Sequence, residues 1–364
     1  MNKYKVCVYA ICKNEEKFIN RFVDSMSEAD LIVVADTGST DDSIEMLKKR
    51  NVQVHSISVN PWRFDVARNM SLDLVPEDFD ICVCTDLDEI FEPGWRKELE
   101  KSWTKDTTRL KYSYTWNFNE DGTPGVTFWY EKIHKRHDFK WIHPVHEILE
   151  YSGEIPDKYT WNGKIKLYHL ADNTKSRSSY LPLLELSVKE DPTNDRNVHY
   201  LGREYMFYEK WDECIEMLKK HLELPKATWK DERAASMRYI SRAYIQKQEF
   251  SEATSWLYKA IAEAPYLREA YVELAKLAYS LNDFPCVYHM VNSCLKIKEK
   301  PLSYINESFA WDYTIYDLGS ISAYNLGLYD ESLKFAKLAF DLAPTNDRLK
   351  SNYEFLVDFD KNKK

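Results

Sequence analysis

The chain has 364 residues, 44% of them hydrophobic and 30% charged, with a formal net charge of -9. That length suits two domains, because single cores rarely grow past about 250–300 residues, and the composition excludes a disordered or fibrous chain. The acidic balance argues against a broad nucleic-acid footprint and leaves room only for a local basic groove.

Seven cysteines, at positions 7, 12, 82, 84, 214, 286 and 294, include no CxxC pair and no zinc-like spacing. Reduced thiols in a cytoplasmic protein are the simpler expectation. The N-terminal apolar run "VCVYAIC" is cut off by Lys13, Asn14, Glu15 and Glu16. It is too short for a signal peptide or a membrane span, so any membrane would be met from outside.

Read in chain order, the first half alternates β-rich runs with helical stretches, the pattern of a parallel sheet covered by helices. "KVCVYAIC" (5–12) reads as the first strand and is followed by a helix over about 15–27. "ADLIVVAD" (29–36) is a second strand ending on Asp36, and "TGSTDDSIEMLKKR" gives a glycine turn and a capped amphipathic helix. Next come "VQVHSISV" as a strand, a helix near 64–74, and "DICVCTDLD" as a strand running into Asp86, Asp88 and Glu89. The acidic and glycine features thus fall at the carboxyl ends of strands, where open α/β sheets bind ligands. From 106 to 170 the texture turns aromatic and alternating, as antiparallel strands finishing the sheet would require. "LADNTKSRSSY" (170–180) reads as a polar loop.

Beyond about 180 the chain reads as helical and repeats itself. "FSEATSWLYKAIAEAP" (250–265) overlays on "YDESLKFAKLAFDLAP" (329–344), and "WDECIEMLKKHLELP" (211–225) is a shorter copy. Phe284 follows Phe250 by a 34-residue step, the period of tetratricopeptide helix pairs, which stack because one pair cannot bury its apolar face alone. Against this stands an irregular helical bundle with chance similarity.

Several groups in the first half carry chemistry. Asp36 at a strand end suits a base or ribose hydroxyl, with Gly38 letting backbone approach a ligand; "DTGSTD" is equally the composition of a helix cap. Asp86 and Asp88, alternate residues on an extended segment, share a side-chain direction and can converge on one cation or a sugar hydroxyl. Glu89 then points away as a supporting group. A solvated strand end is the plainer alternative. His146 and Glu147 in "WIHPVHEIL", and His169 in "KLYHLAD", are expected after the last strand as candidate ligands and a general base, or as structural hydrogen-bonders. Arg68 in "FDVARN" could hold a phosphate or pair with an acid.

The ordered set "ICKNEE", "VVADTGSTDDS", "FDVARN", "CTDLDEIF" and "WIHPVHEIL", followed by helical repeats, resembles the family 2 glycosyltransferases of GT-A fold. More narrowly it is similar to their tetratricopeptide-bearing branch, which includes bacteriocin peptide S-glycosyltransferases, and to lipopolysaccharide-core glucosyltransferases. The resemblance implies an α/β GT-A domain over 1–175, a linker or helix over 176–196 and an all-α tetratricopeptide-repeat domain over 197–364. It places a nucleotide-sugar, UDP-linked, against Ala10, Cys12, Asn14, Glu15, Asp36, Arg68, Asp86 and Leu87. It puts Mn²⁺ or Mg²⁺ on Asp88 with His169, and makes Glu147 the catalytic base of an inverting transfer. The implied acceptor is a peptide, protein or glycan recognised partly by the repeats, which could also form a homodimer. Cys12 stands where the family usually has a small aliphatic residue, and Leu87 where Ala is common.

Two other classes compete. One is a non-catalytic adaptor with a degenerate nucleotide-sugar domain, against which the intact "DLDE" and "VHE" segments speak. The other is a nucleotidyltransferase, which normally wants a glycine-rich phosphate loop after the first strand, and "AICKNEE" has no glycine.

Overall fold

The structure, a computed structural model, describes residues 3–119, 122–172 and 178–363. The middle of the polar stretch expected at 170–180 lies outside them. The chain divides into two compact units, Met1–Ser187 with Leu302–Tyr304, and Val188–Pro301 with Ile305–Lys364.

The first unit begins with β1 (Val6–Cys12), α1 (Ile19–Met26), β2 (Leu31–Asp36), α2 (Ser43–Lys49), β3 (Gln53–Ser56), α3 (Phe64–Asp73) and β4 (Ile81–Cys84). It continues through β5 (Glu89–Phe91), α4 (Trp95–Ser102), β6 (Arg109–Thr115), β7 (Thr127–Lys135), β8 (Phe139–Ile142), β9 (Ile148–Tyr151) and β10 (Tyr159–His169). Eight strands form one mixed sheet in the order β3-β2-β1-β4-β7-β6-β10-β5, and β8 and β9 form a separate hairpin sheet. The first four neighbours run parallel, and β7 joins β4 antiparallel.

Strand β1 is apolar throughout because both of its faces are covered. Val6, Val8, Ala10 and Cys12 enter one core with Ile19, Phe22 and Met26 of α1 and with Trp95 and Leu99 of α4. Cys7 and Tyr9 enter the opposite core with Leu72 and Trp141. Strand β4 repeats the alternation, Ile81 and Val83 on one side and Cys82 and Cys84 on the other. On that second face Tyr9 anchors a buried chain. Trp141 Nε1 donates to the Tyr9 hydroxyl (2.9 Å), which donates to His134 Nε2 (2.8 Å), while His134 Nδ1 donates to the Lys135 carbonyl (2.6 Å).

Two expectations fail here. The strand "DICVCTDLD" stops at Cys84, and residues 85–88 form a turn. Asp86 N donates to Glu89 Oε2 (2.9 Å) and Glu89 N to the Asp86 carbonyl (3.1 Å), which closes the chain on itself. Asp86 and Asp88 therefore do not share the direction an extended segment would give them. Likewise His146 and Glu147 do not follow the last strand; they sit in the turn between β8 and β9, and His169 is the final residue of β10. The strand expected at "VQVHSISV" shortens to Gln53–Ser56.

In the second unit α6 (Asp195–Phe207) pairs with α7 (Trp211–Glu223), and α8 (Lys230–Gln246) with α9 (Phe250–Glu263). After them α10 (Glu269–Ser280) pairs with α11 (Phe284–Cys294), α12 (Thr314–Asn325) with α13 (Tyr329–Leu342), and α14 (Asp347–Lys363) follows. α5 (Tyr180–Glu190) precedes this series. The four turns within pairs are copies of one another. Glu209, Gln248, Asn282 and Gly327 all have positive φ, between 57° and 76°, and each lies two residues before the aromatic that opens the next helix. The residue after each donates back to a helix carbonyl: Lys210 to Tyr205, Glu249 to Tyr244 and Asp283 to Ala278 at 2.9 Å, and Leu328 to Ala323 at 2.8 Å. This left-handed cap satisfies carbonyls that a helix end would otherwise orphan. Nine residues before each opening aromatic stands a small buried residue, Gly202, Ser241, Ala275 or Ser320, where the paired helices approach. A Cβ on Gly202 would lie 2.5 Å from the Leu218 side chain.

Candidate active site

The elbow after β1 and the loop after β2 are laced together. Asn14, at φ 56°, accepts from Thr40 N (2.7 Å) on Oδ1, and its own N–H donates to Ser39 Oγ (2.9 Å). Glu15 N donates to Ser43 Oγ (2.8 Å). Asp36 is buried and turns both carboxylate oxygens onto its own turn, Oδ2 accepting from Gly38 N (3.0 Å) and Ser39 N (3.1 Å) and Oδ1 from Ser39 N (3.2 Å). Ala10 and Cys12 are buried in the strand, and Leu87 is buried in the core. The structure thus joins Asn14, Glu15 and Asp36 in one loop pair that Cys12 also reaches, its Sγ lying 3.8 Å from Ser39 Oγ, while the side chains of Ala10 and Leu87 pack in the core.

At the carboxyl end of β4 a charged network is built from four separate segments. Arg68, from α3 and only 5% exposed, lies over the Trp141 ring at 5.2 Å. Its guanidinium donates to Asp86 Oδ1 (2.9 Å), Cys84 Sγ (3.3 Å) and Glu147 Oε1. Lys132, buried on β7, donates to Asp86 Oδ2 (3.2 Å) and lies 3.5 Å from Glu89 Oε1. Burial would raise the Asp86 carboxyl, but the charges of Arg68 and Lys132 outweigh it and hold the group well below the usual range. For Glu89, 1% exposed, burial wins and its carboxyl is pushed up, with Lys132 pulling the other way. Tyr114 donates to Glu89 Oε1 (2.9 Å).

Asp88 faces elsewhere. Its Oδ2 lies 3.5 Å from His169 Nε2, and its carbonyl accepts from Leu170 N (2.8 Å). His169 Nδ1 donates to the Trp116 carbonyl (3.0 Å), and the two rings stack at 4.4 Å. That bond fixes the proton on Nδ1 and aims Nε2 at the carboxylate, the arrangement that orients metal-ligating histidines. Burial lowers the His169 imidazole, but the hydrogen bond and charge of Asp88 more than offset it and its pKa is raised.

Glu147 is held in place by its neighbours. The carbonyl of Pro144 accepts from Phe64 N (2.9 Å), tying the turn to the start of α3. His143 and His146 both adopt positive φ in that turn. Lys132, Tyr114 and Trp116 were missed as site residues. The only signal was alternation in "TFWYEKIHK", and a register shift breaks it: Tyr130 lies on the face of Ile133, while His134 lies on the opposite face with Tyr9 and Phe139.

Residues 7–149 match glycosyl transferase family 2. They form a family 2 glycosyltransferase domain. The domain has the α/β GT-A fold, and the helical region that follows is of tetratricopeptide type, an assignment carried by its four recurring turns. The chain is 24% identical over 301 residues to the SPbeta prophage-derived glycosyltransferase SunS of Bacillus subtilis (strain 168), and equally to glycosyltransferase SunS of Bacillus phage SPbeta. That similarity covers 76% of this chain and 66% of each relative, just under two thirds of their length. Among solved structures, MamA is 21% identical over 47% of this chain and 91% of its own, with a TM-score of 0.38. YrrB, a TPR protein with an unusual peptide-binding site, is 13% identical over 49% of this chain and 84% of its own, with a TM-score of 0.40. Among the described residues no helix is long and apolar enough to cross a membrane.

Proposed function

We propose that the chain is a divalent-cation-dependent, inverting glycosyltransferase that moves a sugar from a nucleotide-sugar donor, UDP-linked, to a peptide, protein or glycan acceptor. The observation that carries this reading is the separation of the two aspartates: Asp86 is neutralised by Arg68 and Lys132, whereas among the described residues Asp88 is ion-paired only with the imidazole of His169, with the charge of Arg21 nearby. The relatives' description as glycosyltransferases supports it.

A hard cation fits this donor set, since Asp88 offers carboxylate oxygen and His169 an oriented ring nitrogen. When bound, such a cation supplies Lewis-acid stabilisation of the leaving diphosphate. The chain's own residues do the rest. The loop pair after β1 and β2, with Asn14, Glu15 and Asp36, forms the wall for base and ribose. Arg68 holds Glu147 through Oε1, which leaves Oε2 as the atom that takes the acceptor's proton as the acceptor attacks the anomeric carbon opposite the leaving group. Arg68 thereby acts on the phosphates only through the acids it positions. The helical repeats supply part of the acceptor's recognition.

The deciding experiment is a sugar-nucleotide panel, scored for donor hydrolysis with Mn²⁺ and after chelation, on wild type, Asp88→Asn and Glu147→Gln. Donor turnover that requires metal and is lost in Asp88→Asn is expected. Full acceptor transfer by Glu147→Gln would remove the base assignment and leave the metal role standing. No turnover with any donor would favour an adaptor.

A further inference from the structure

The second unit holds a polar cluster in a place where apolar packing would be the ordinary choice. His199 of α6, His221 of α7 and Ser236 of α8 are fully buried, and Glu232, one turn before Ser236 on α8, is 5% exposed. One ligand atom from each of His199, His221 and Glu232 lies within 4.8 Å of the others.

We propose that His199, His221 and Glu232 form a structural zinc site that ties together the first three helices of the repeat region. Three relationships carry this. Ser236 Oγ lies 2.8 Å from His199 Nδ1 and 2.9 Å from His221 Nδ1. A serine oxygen has two lone pairs, so it can accept from both Nδ1–H groups at once, which leaves both Nε2 lone pairs bare. Metal-bound histidines use their second nitrogen in this way. Next, neither Nε2 makes a hydrogen bond, although both are buried, and a buried polar atom in that state costs about 1–3 kcal/mol. Finally, His221 Nε2 lies 3.3 Å from Glu232 Oε1. That is long for a charge-assisted hydrogen bond but is the spacing of two ligands on one tetrahedral zinc, roughly 3.3–3.5 Å for metal–ligand bonds of about 2.0–2.2 Å. A water completes the tetrahedron.

Bound zinc would bridge one helix pair to the next and stabilise the folded state by mass action. This site is independent of the glycosyltransferase reading and far from its residues in sequence.

The test uses the full chain. Chelator-treated Asp88→Asn, which lacks the carboxylate of the cation site in the first unit, is titrated with Zn²⁺ and, separately, Co²⁺, alone and with His199→Gln or His221→Gln added, and followed by metal content, thermal unfolding and visible absorption. One zinc per Asp88→Asn chain, a raised Tm and tetrahedral cobalt bands without thiolate charge transfer are expected, all lost when either histidine substitution is added in a chain that still folds. Asp88→Asn that takes up no zinc and unfolds at the same temperature with and without it would overturn the site. Uptake that survives both added histidine substitutions or carries a thiolate band would overturn it equally. Should the histidine variants fail to fold, X-ray absorption of the zinc in Asp88→Asn decides: two imidazoles in the shell support the site, and none refutes it.

Discussion

Asp88 Oδ2 and His169 Nε2 face each other across 3.5 Å while Asp86, two residues earlier, is turned onto Lys132 at 3.2 Å. In the metal-free protein the raised His169 pKa means that the imidazolium form is favoured by folding. Its contribution to stability is full below the unfolded value of about 6.5 and fades as pH rises through the folded value. Metal uptake runs the other way, because a proton on Nε2 blocks the ligand. Mn²⁺ affinity, read by electron paramagnetic resonance, should rise with pH through the His169 transition, and His169→Ala should lower it by about 10–100-fold. A pH-independent affinity would remove His169 from the metal site.

Lys132 neutralises two acids from a buried position. Replacing it with Met leaves Asp86 and Glu89 beside one cation, and breaking a buried pair by deleting one partner costs about 3–5 kcal/mol. Lys132→Met should therefore lower the urea midpoint sharply, and adding Glu89→Gln should restore part of it. A midpoint equal to wild type would show that solvent already screens these groups.

Acid should unfold the protein in part through His134, whose imidazole burial pushes down to about 3. A depressed folded pKa gives stability that is present above the unfolded value of about 6.5 and is lost as pH falls from there toward 3. The loss approaches about 1.4 kcal/mol per pH unit for each such group. Urea titrations between pH 7 and pH 4, taken as about the usable range, should show this slope reduced in His134→Gln.

Two glycines of the repeat separate backbone from packing. Gly327 has φ 76° and open space around it, so Gly327→Ala should cost about 1 kcal/mol through backbone strain alone. Gly202→Ala drives a methyl to 2.5 Å from Leu218, an overpacking that costs about 1–3 kcal/mol. In a Leu218→Ala background Gly202→Ala should cost less than in wild type, whereas Gly327→Ala should cost the same in both. Thermal unfolding of the three single and two double variants checks both.

The strands and helices of the first unit were legible because burial on both faces leaves an unbroken apolar run, as in β1, and because apolar residues mark the inner face of α1. The repeat was legible from Phe250, Phe284 and Tyr329, whose spacing reflects one turn geometry copied along the chain. What stayed hidden was the direction of the acids. Alternation along a strand predicts side-chain direction only while the strand lasts, and the bond from Asp86 N to Glu89 Oε2 ends it. Lys132 was hidden for another reason: its partners lie more than 40 residues away in the chain, and local pattern carries no information about such pairs.

The same distance along the chain has a consequence for synthesis. Strands β1 to β4 leave the ribosome with Arg68, Asp86 and Glu89 in place, but Lys132 is still more than 40 residues behind Glu89. Until β7 arrives, β4 is an unpaired edge and Glu89 has no lysine to bury against. The parallel half of this sheet cannot close as a finished unit during translation; it must wait, half-sided and protonated or wet at Glu89, for its antiparallel neighbour.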